Sequence, residues 1–109
     1  METNDRLMNL LGLARKAGKL ELGGEAVKQD VRRHRAKLVL LSADLSQRTA
    51  QAMRDEAEKA GVRAAALPVG MDAVQAALGK RAGVIAVNDN GFAQALLKLS
   101  AEDRGGTIL

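Results

Sequence analysis

Apolar residues follow a helical spacing in some segments of the chain and form short runs in others. Over about residues 4–17, leucine and alanine recur at positions i, i+3, i+4 and i+7, which places them on one face of a helix. The run Lys37–Leu41 is short, nearly continuous and partly β-branched, which is typical of a central strand buried on both faces. Lys19–Leu22 instead alternates polar and apolar residues, which predicts a short strand with one wet face.

Glycines and capping residues divide the chain into nine predicted elements. The predicted helices cover about 4–17, 25–35, 47–60, 71–78 and 91–99, and the predicted strands cover about 19–22, 37–41, 62–67 and 84–87. This alternation predicts an α/β fold, a three-layer α/β/α sandwich with a four-stranded mixed sheet. Strands joined by a crossover helix are expected to be parallel neighbours, and the weak first strand is the candidate for an antiparallel edge.

The length of the chain, 109 residues, fits one domain. We expect that domain to span residues 1–100, followed by a frayed tail at 101–109, which is charged and rich in glycine. The absence of cysteine excludes a disulfide framework and thiolate metal sites. No signal-peptide pattern and no apolar run of roughly 18 residues is present, so we expect a cytoplasmic monomer without a membrane partner.

Basic residues are concentrated in the first half of the sequence. The formal net charge is +4, and residues 1–54 contain 11 Lys or Arg against 6 Asp or Glu, whereas residues 55–109 contain 6 against 7. A clustered basic surface favours a polyanionic partner, because neutralising phosphates releases their counterions. On charge alone, a solvated surface without such a partner is an equal alternative.

Catalysis has little support in the sequence. The one histidine, His34, stands among arginines and has no evident carboxylate to orient it as a general base. No metal-ligand spacing occurs, and Gly23-Gly24 lacks the longer glycine patterns of nucleotide-binding loops. We therefore expect no enzyme, no metal and no cofactor, with a small-nucleotide binder as a minor alternative.

A glycine turn and the helix after it form the first candidate site. Gly23-Gly24 follows a predicted strand and opens a predicted helix, where exposed backbone N–H groups attract phosphate. Lys28, Arg32 and Arg35 follow at i, i+4 and i+7, which predicts one basic stripe along that helix. The alternatives are a simple tight turn and a solvated helix face.

A second basic glycine loop, residues 79–83, precedes the last predicted strand, and we expect it on the same rim of the sheet as the glycine turn. Apart from Phe92 the chain has no aromatic residue on which single-stranded bases could stack, which favours a shaped, partly double-stranded RNA. The predicted RNA-binding residues are Gly23, Gly24, Glu25, Lys28, Gln29, Arg32, Arg35, Lys37, Gly79, Lys80, Arg81, Ala82 and Gly83.

Five blocks of the sequence resemble one family. They are LLGLARKAG at 10–18, GGE at 23–25, RAKLVLLSAD at 35–44, LGK at 78–80 and VNDNGFA at 87–93. Over about residues 6–99 the chain resembles the bacterial YlxQ-like branch of the ribosomal protein L-seven-Ae/L-thirty-e superfamily. The resemblance implies a three-layer α/β/α fold that binds sharply bent kink-turn RNA. It assigns the RNA contacts to the turn at Gly23–Gln29, supported by the loop at Gly79–Gly83.

The turn departs from the pattern Gly-x-Asn-Glu-x-x-Lys of kink-turn readers. Gly23 is retained, but Glu25, Ala26 and Gln29 stand at the positions of Asn, Glu and Lys, with Lys28 adjacent to the missing positive charge. Two functions follow as hypotheses. The first is a non-catalytic protein that binds structured ribosomal or other non-coding RNA, and the second is a protein-interaction adaptor whose partners are ribosomal, transcription or translation factors.

Overall fold

A computed structural model, which describes residues 3–103, contains five helices and four strands in alternation. Their bounds are α1 Thr3–Lys16, β1 Leu20–Leu22, α2 Gly24–Arg32, β2 Leu38–Leu41, α3 Gln47–Lys59, β3 Arg63–Ala66, α4 Met71–Leu78, β4 Val84–Val87 and α5 Asn90–Asp103. The predicted α/β class and four-stranded mixed sheet are confirmed. Of the predicted tail, residues 101–103 continue α5 and residues 104–109 lie outside the described part of the chain.

The sheet has the strand order β1-β4-β2-β3. Strand β4 is antiparallel to both of its neighbours, while β2 and β3 are parallel. The expectation that strands joined by a crossover helix are neighbours therefore holds for β2 and β3. It is wrong for β1 and β2, which α2 joins, and for β3 and β4, which α4 joins. The reason is burial: all four residues of β2 and of β4 are buried, so these two strands take the centre, and the partly exposed β1 and β3 form the edges.

Each face of the sheet has its own aliphatic core. In β2, Leu38 and Leu40 belong to the core shared with α1, α4 and α5, whereas Val39 and Leu41 belong to the core shared with α2 and α3. This alternation is the period of two that a strand imposes. The single aromatic residue, Phe92, is partly buried against the first core. The sheet therefore forms the middle of three layers.

The ends of the strands form two rims on opposite sides of the sheet. At the first, which we call the loop rim, β1, β2 and β3 end and β4 begins; the Gly23 N–H donates to the carbonyl of Val84 at 2.9 Å there. At the second, the far rim, β1, β2 and β3 begin and β4 ends; the Lys37 N–H donates to the carbonyl of Val87 at 2.8 Å. A strand of four residues separates the rims by about 13 Å.

Helix α2 ends three residues before its predicted end at Arg35. The His34 N–H donates to the carbonyl of Val31 and the Arg35 N–H to that of Asp30, which together form a Schellman motif. His34 takes the left-handed conformation of that motif, with φ of 61°. Helices α1 and α3 end in the same way at Gly18 and Gly61. The sequence at the end of α2 lacks such a glycine, so the prediction extended the helix too far.

Replacing His34 with glycine should stabilise the fold. A left-handed conformation costs a residue with a Cβ roughly 1–2 kcal/mol, and part of this gain is offset by the greater freedom of glycine in the unfolded chain. We expect His34→Gly to raise the free energy of unfolding by about 0.5–1 kcal/mol in urea titrations. The reciprocal change Gly61→Ala, at the same position of α3 with φ of 71°, should lower it by a similar amount. A destabilised His34→Gly variant would contradict the expectation.

Candidate nucleic-acid interface

The two glycine loops lie side by side on the loop rim, as the sequence predicts. Gly23 is bonded to Val84, the residue that follows the loop 79–83, through its N–H at 2.9 Å. On the other side of this loop, the Ser42 N–H donates to the carbonyl of Gly83, also at 2.9 Å. The glycine turn, the 79–83 loop and the segment after β2 therefore form one continuous edge.

The N-terminus of α2 is open towards this edge. Gly23 precedes the helix with φ of 105° and ψ of 145°, and among the side chains of residues 4–99 none accepts a hydrogen bond from the first turn. The other helices with fully described first turns are capped by a side chain: α3 by Ser46, α4 by Asp44 and α5 by Asp89. Unpaired N–H groups at a helix start carry the positive end of the helix dipole and attract anions. Of these four helices, α2 alone has a first turn in which no N–H is engaged by a described side chain.

The cations of the loop rim are largely neutralised by neighbours. The Lys28 Nζ lies 3.7 Å from the Glu25 carboxylate, and the Arg81 guanidinium is hydrogen-bonded to Asp72. That contact raises the pKa of Arg81 further above its ordinary value. Lys80 is exposed. The loop rim therefore presents backbone donors and glycines with little net charge.

The basic stripe predicted along α2 is wrong in part. Arg35 lies beyond the end of the helix. Arg32 makes a two-pronged contact with Glu56 of α3, Nε to Oε1 at 3.1 Å and Nη2 to Oε2 at 2.7 Å. This hydrogen bonding lowers the pKa of Glu56, and Lys28 contributes to the same effect from one turn earlier. The side of α2 that carries Lys28 and Arg32 therefore leans towards α3.

Arg35 and Lys37 are on the wrong rim for the predicted site. Lys37 immediately precedes β2, and its N–H is bonded to the carbonyl of Val87 at the end of β4. The two residues are therefore on the far rim, which lies about 13 Å along the strands from the rim of the glycine turn. Strands β1 and β2 run in the same direction, so the end of one and the start of the other lie on opposite sides of the sheet.

The 79–83 loop presents only part of its residues to a ligand. Gly79 ends α4 in the left-handed conformation, with φ of 80°. Ala82 is 6% exposed and packs in the core, so its side chain is withdrawn from the surface, and its contact with RNA stays a prediction. Gly83 is half-buried, and a Cβ there would approach the Leu45 Cδ1 to 2.7 Å, so its position favours glycine. Lys80 and Arg81 remain exposed.

Sequence reasoning missed a third segment of the loop rim, residues 42–44. The Asp44 carboxylate accepts the Met71 N–H at 3.1 Å and so caps α4. The Ser42 hydroxyl, followed by this N–H, lowers the pKa of Asp44. The sequence does carry a signal for this segment, because a serine and an aspartate directly after a buried strand are typical of an edge where strands end and loops meet.

Other kinds of site find no support in the described residues. Nowhere among them do three or more Asp, Glu or His side chains converge as metal ligands would. None of the helices in the same part of the chain is long and apolar enough to cross a membrane.

Two relatives resemble the chain over most of its length. RNA-binding protein YlxQ of Bacillus subtilis (strain 168) is 39% identical over 95 residues, which cover 83% of this chain and 90% of the relative. RNA-binding protein YlxQ of Enterococcus faecium is 36% identical over 89 residues, which cover 82% and 85%. Both relatives are named for RNA binding rather than for a reaction, in agreement with the prediction of a non-catalytic chain.

Two solved structures share the fold. A protein with unknown function from Bacillus halodurans C superposes with a TM-score of 0.81 at 31% identity, covering 85% of this chain and 94% of the other. The Giardia lamblia 15.5kD RNA binding protein superposes with a TM-score of 0.73 at 17% identity, covering 96% and 90%. One protein family matches the chain over residues 5–97, which is almost the whole of the described domain. The chain belongs to the Ribosomal protein L7Ae/L30e/S12e/Gadd45 family.

Proposed function

We propose that the protein binds structured RNA of the kink-turn type through the loop rim. The observation that carries the proposal is the uncapped N-terminus of α2, which opens beside the 79–83 loop. The YlxQ relatives align with this chain over most of the length of both, and their names support RNA as the ligand. The residues retained at this rim are Gly23, Gly24, Glu25, Lys28, Gln29, Gly79, Lys80, Arg81 and Gly83.

Backbone groups and shape carry the recognition in this proposal. The free N–H groups of α2 bind a phosphate of the bent strand, and Gly23 and Gly24 let the RNA backbone approach closely. A Cβ at either glycine would meet no atom of the described residues within 4 Å apart from the adjoining backbone, so the space above the turn is open. Lys80 adds a positive charge from the neighbouring loop, and the loop's paired cations add little net charge.

Glu25 and Gln29 are the candidates for reading bases. Both are exposed, and their spacing of i, i+4 places them on one side of α2 at the loop rim. A carboxylate accepts hydrogen bonds only, so Glu25 suits an exposed base amino group. The amide of Gln29 both donates and accepts, and therefore tolerates more than one base edge.

A titration tests this function directly. We expect the protein to bind a labelled kink-turn RNA at least tenfold more tightly than a straight RNA duplex of equal length, at two salt concentrations. The preference should persist at the higher salt, because it depends on shape and hydrogen bonds, whereas non-specific phosphate binding weakens. Equal affinity for both RNAs would contradict the proposal. Absence of binding to either would favour the protein-interaction adaptor.

A further inference from the structure

The positive charge of the molecule is concentrated on the far rim rather than at the loop rim. Lys16 ends α1, Lys19 precedes β1, and Arg33, Arg35 and Lys37 lead from α2 into β2. We call these five residues the basic cluster. All five side chains are exposed, and among residues 4–99, whose side chains the structure describes, none of them forms an ion pair.

The three cations that form ion pairs within residues 4–99 all lie outside the cluster. Lys28, Arg32 and Arg81 are each paired with a carboxylate. Of the acidic residues at the far rim, Asp30 accepts the Asn88 side-chain N–H at 2.8 Å, Asp89 caps α5, and Glu58 in the last turn of α3 is exposed. The cluster therefore keeps its charge available for a partner outside the chain.

Helix ends reduce the positive potential there without cancelling it. Helices α1, α2 and α3 all end at the far rim, and each helix C-terminus is equivalent to about −0.5 charge. Three such ends amount to roughly −1.5 charge, against the five cations of the cluster. Stabilisation of the helix ends accounts for a cation in each last turn, but it does not account for Lys19 or Lys37, which belong to strands.

The geometry fits the backbone of a nucleic acid. Lys19 and Lys37 stand before β1 and β2, with β4 between these strands, so their backbones are about 10 Å apart. That span is long enough to contact neighbouring phosphates of one strand. No aromatic residue lies in the cluster, so bases cannot stack there and contact is limited to phosphates, independent of sequence.

We propose that the basic cluster on the far rim binds the phosphate backbone of a second RNA helix. One copy of the protein then joins two RNA segments, because the two rims lie on opposite sides of the sheet. The loop rim reads the shape of one RNA, and the far rim holds another by charge. This surface is distinct from the site of the proposed function.

A matched pair of variants tests the far rim. The first carries Arg35→Gln and Lys37→Gln; the control carries Arg54→Gln and Lys98→Gln, which removes the same charge from exposed positions on α3 and α5. With a straight RNA duplex as the probe, the first variant should bind about tenfold more weakly or worse. Its slope of log K against log salt should be shallower by about 1.4–1.8, the value for two lost phosphate contacts. The control should change affinity less than twofold.

An equal loss in both variants, or no loss in the first, would overturn the proposal. Thermal unfolding followed by circular dichroism establishes that both variants are folded. If the duplex result is as expected and the wild type shows no preference for kink-turn RNA, the proposed function fails, the phosphate site of the far rim stands, and the bridge, which rests on the proposed function, fails. If the preference is present and the first variant binds duplex normally, the inference fails alone.

A capture experiment tests the bridge itself. Wild-type protein held on an immobilised straight duplex should retain a labelled kink-turn RNA, and the variant with Arg35→Gln and Lys37→Gln should retain at least tenfold less. Release of the protein from the duplex by the kink-turn RNA would overturn the proposal, because the two RNAs would then compete for one surface.

Discussion

Gly23→Ala is expected to destabilise the protein by about 1–3 kcal/mol and to weaken binding to kink-turn RNA at least tenfold. Gly23 has φ of 105° and ψ of 145°, a conformation that residues with a Cβ rarely adopt. Its N–H also ties the glycine turn to Val84 of β4. Relaxing the strain would rotate the start of α2, whose free N–H groups are the proposed phosphate donors. Urea unfolding and RNA titration measure the two effects.

The neighbouring glycine provides the control. Gly24 is the first residue of α2, has no left-handed φ and has open space where a Cβ would stand. Gly24→Ala should therefore leave the free energy of unfolding unchanged or raise it by up to about 1 kcal/mol, since alanine favours a helix. If Gly23→Ala loses stability but binds kink-turn RNA as the wild type does, the loop rim is not the binding surface.

The local elements of this fold could be predicted well because each has its own signal. The apolar runs of β2 and β4 and the bounds of α4 follow directly from the sequence. The order of the strands could not be predicted in the same way, because the insertion of β4 between β1 and β2 is decided by which strands bury both faces. The end of α2 was missed because His34 takes a conformation that the sequence marks with glycine elsewhere.

The candidate site was predicted where strand ends share a rim, and was wrong where residues close in the sequence lie on opposite rims. Gly23 and the 79–83 loop meet as expected, because a strand end and a strand start share one rim. Arg35 and Lys37 were grouped with Gly23 by their closeness in sequence. Helix α2, which lies between them, runs from the loop rim to the far rim and separates them. The pairing of Arg32 with Glu56 joins residues 24 positions apart, for which the sequence carries no local pattern.

The core that fixes the two rims is centred on β4. Ile85 lies in the middle of β4, is fully buried, and stands opposite Leu22 of β1 and Leu40 of β2. Ile85→Ala should lower the free energy of unfolding by about 2–5 kcal/mol, and Ile85→Val by about 0.5–1.5 kcal/mol. Domains of this size have a free energy of unfolding of about 5–15 kcal/mol, so the alanine variant loses a large share of its stability.

The cost of Ile85→Ala should be high because the core around it is aliphatic and close-packed, so neighbouring side chains cannot collapse fully into the space left behind. The control is Leu13→Ala, since Leu13 is 58% exposed and its truncation should change stability by no more than about 0.5 kcal/mol. The chain has no Trp or Tyr, so far-ultraviolet circular dichroism in urea is the suitable measurement. A loss below about 1 kcal/mol for Ile85→Ala would mean that β4 is not the packed centre that holds the glycine turn and the basic cluster on opposite rims.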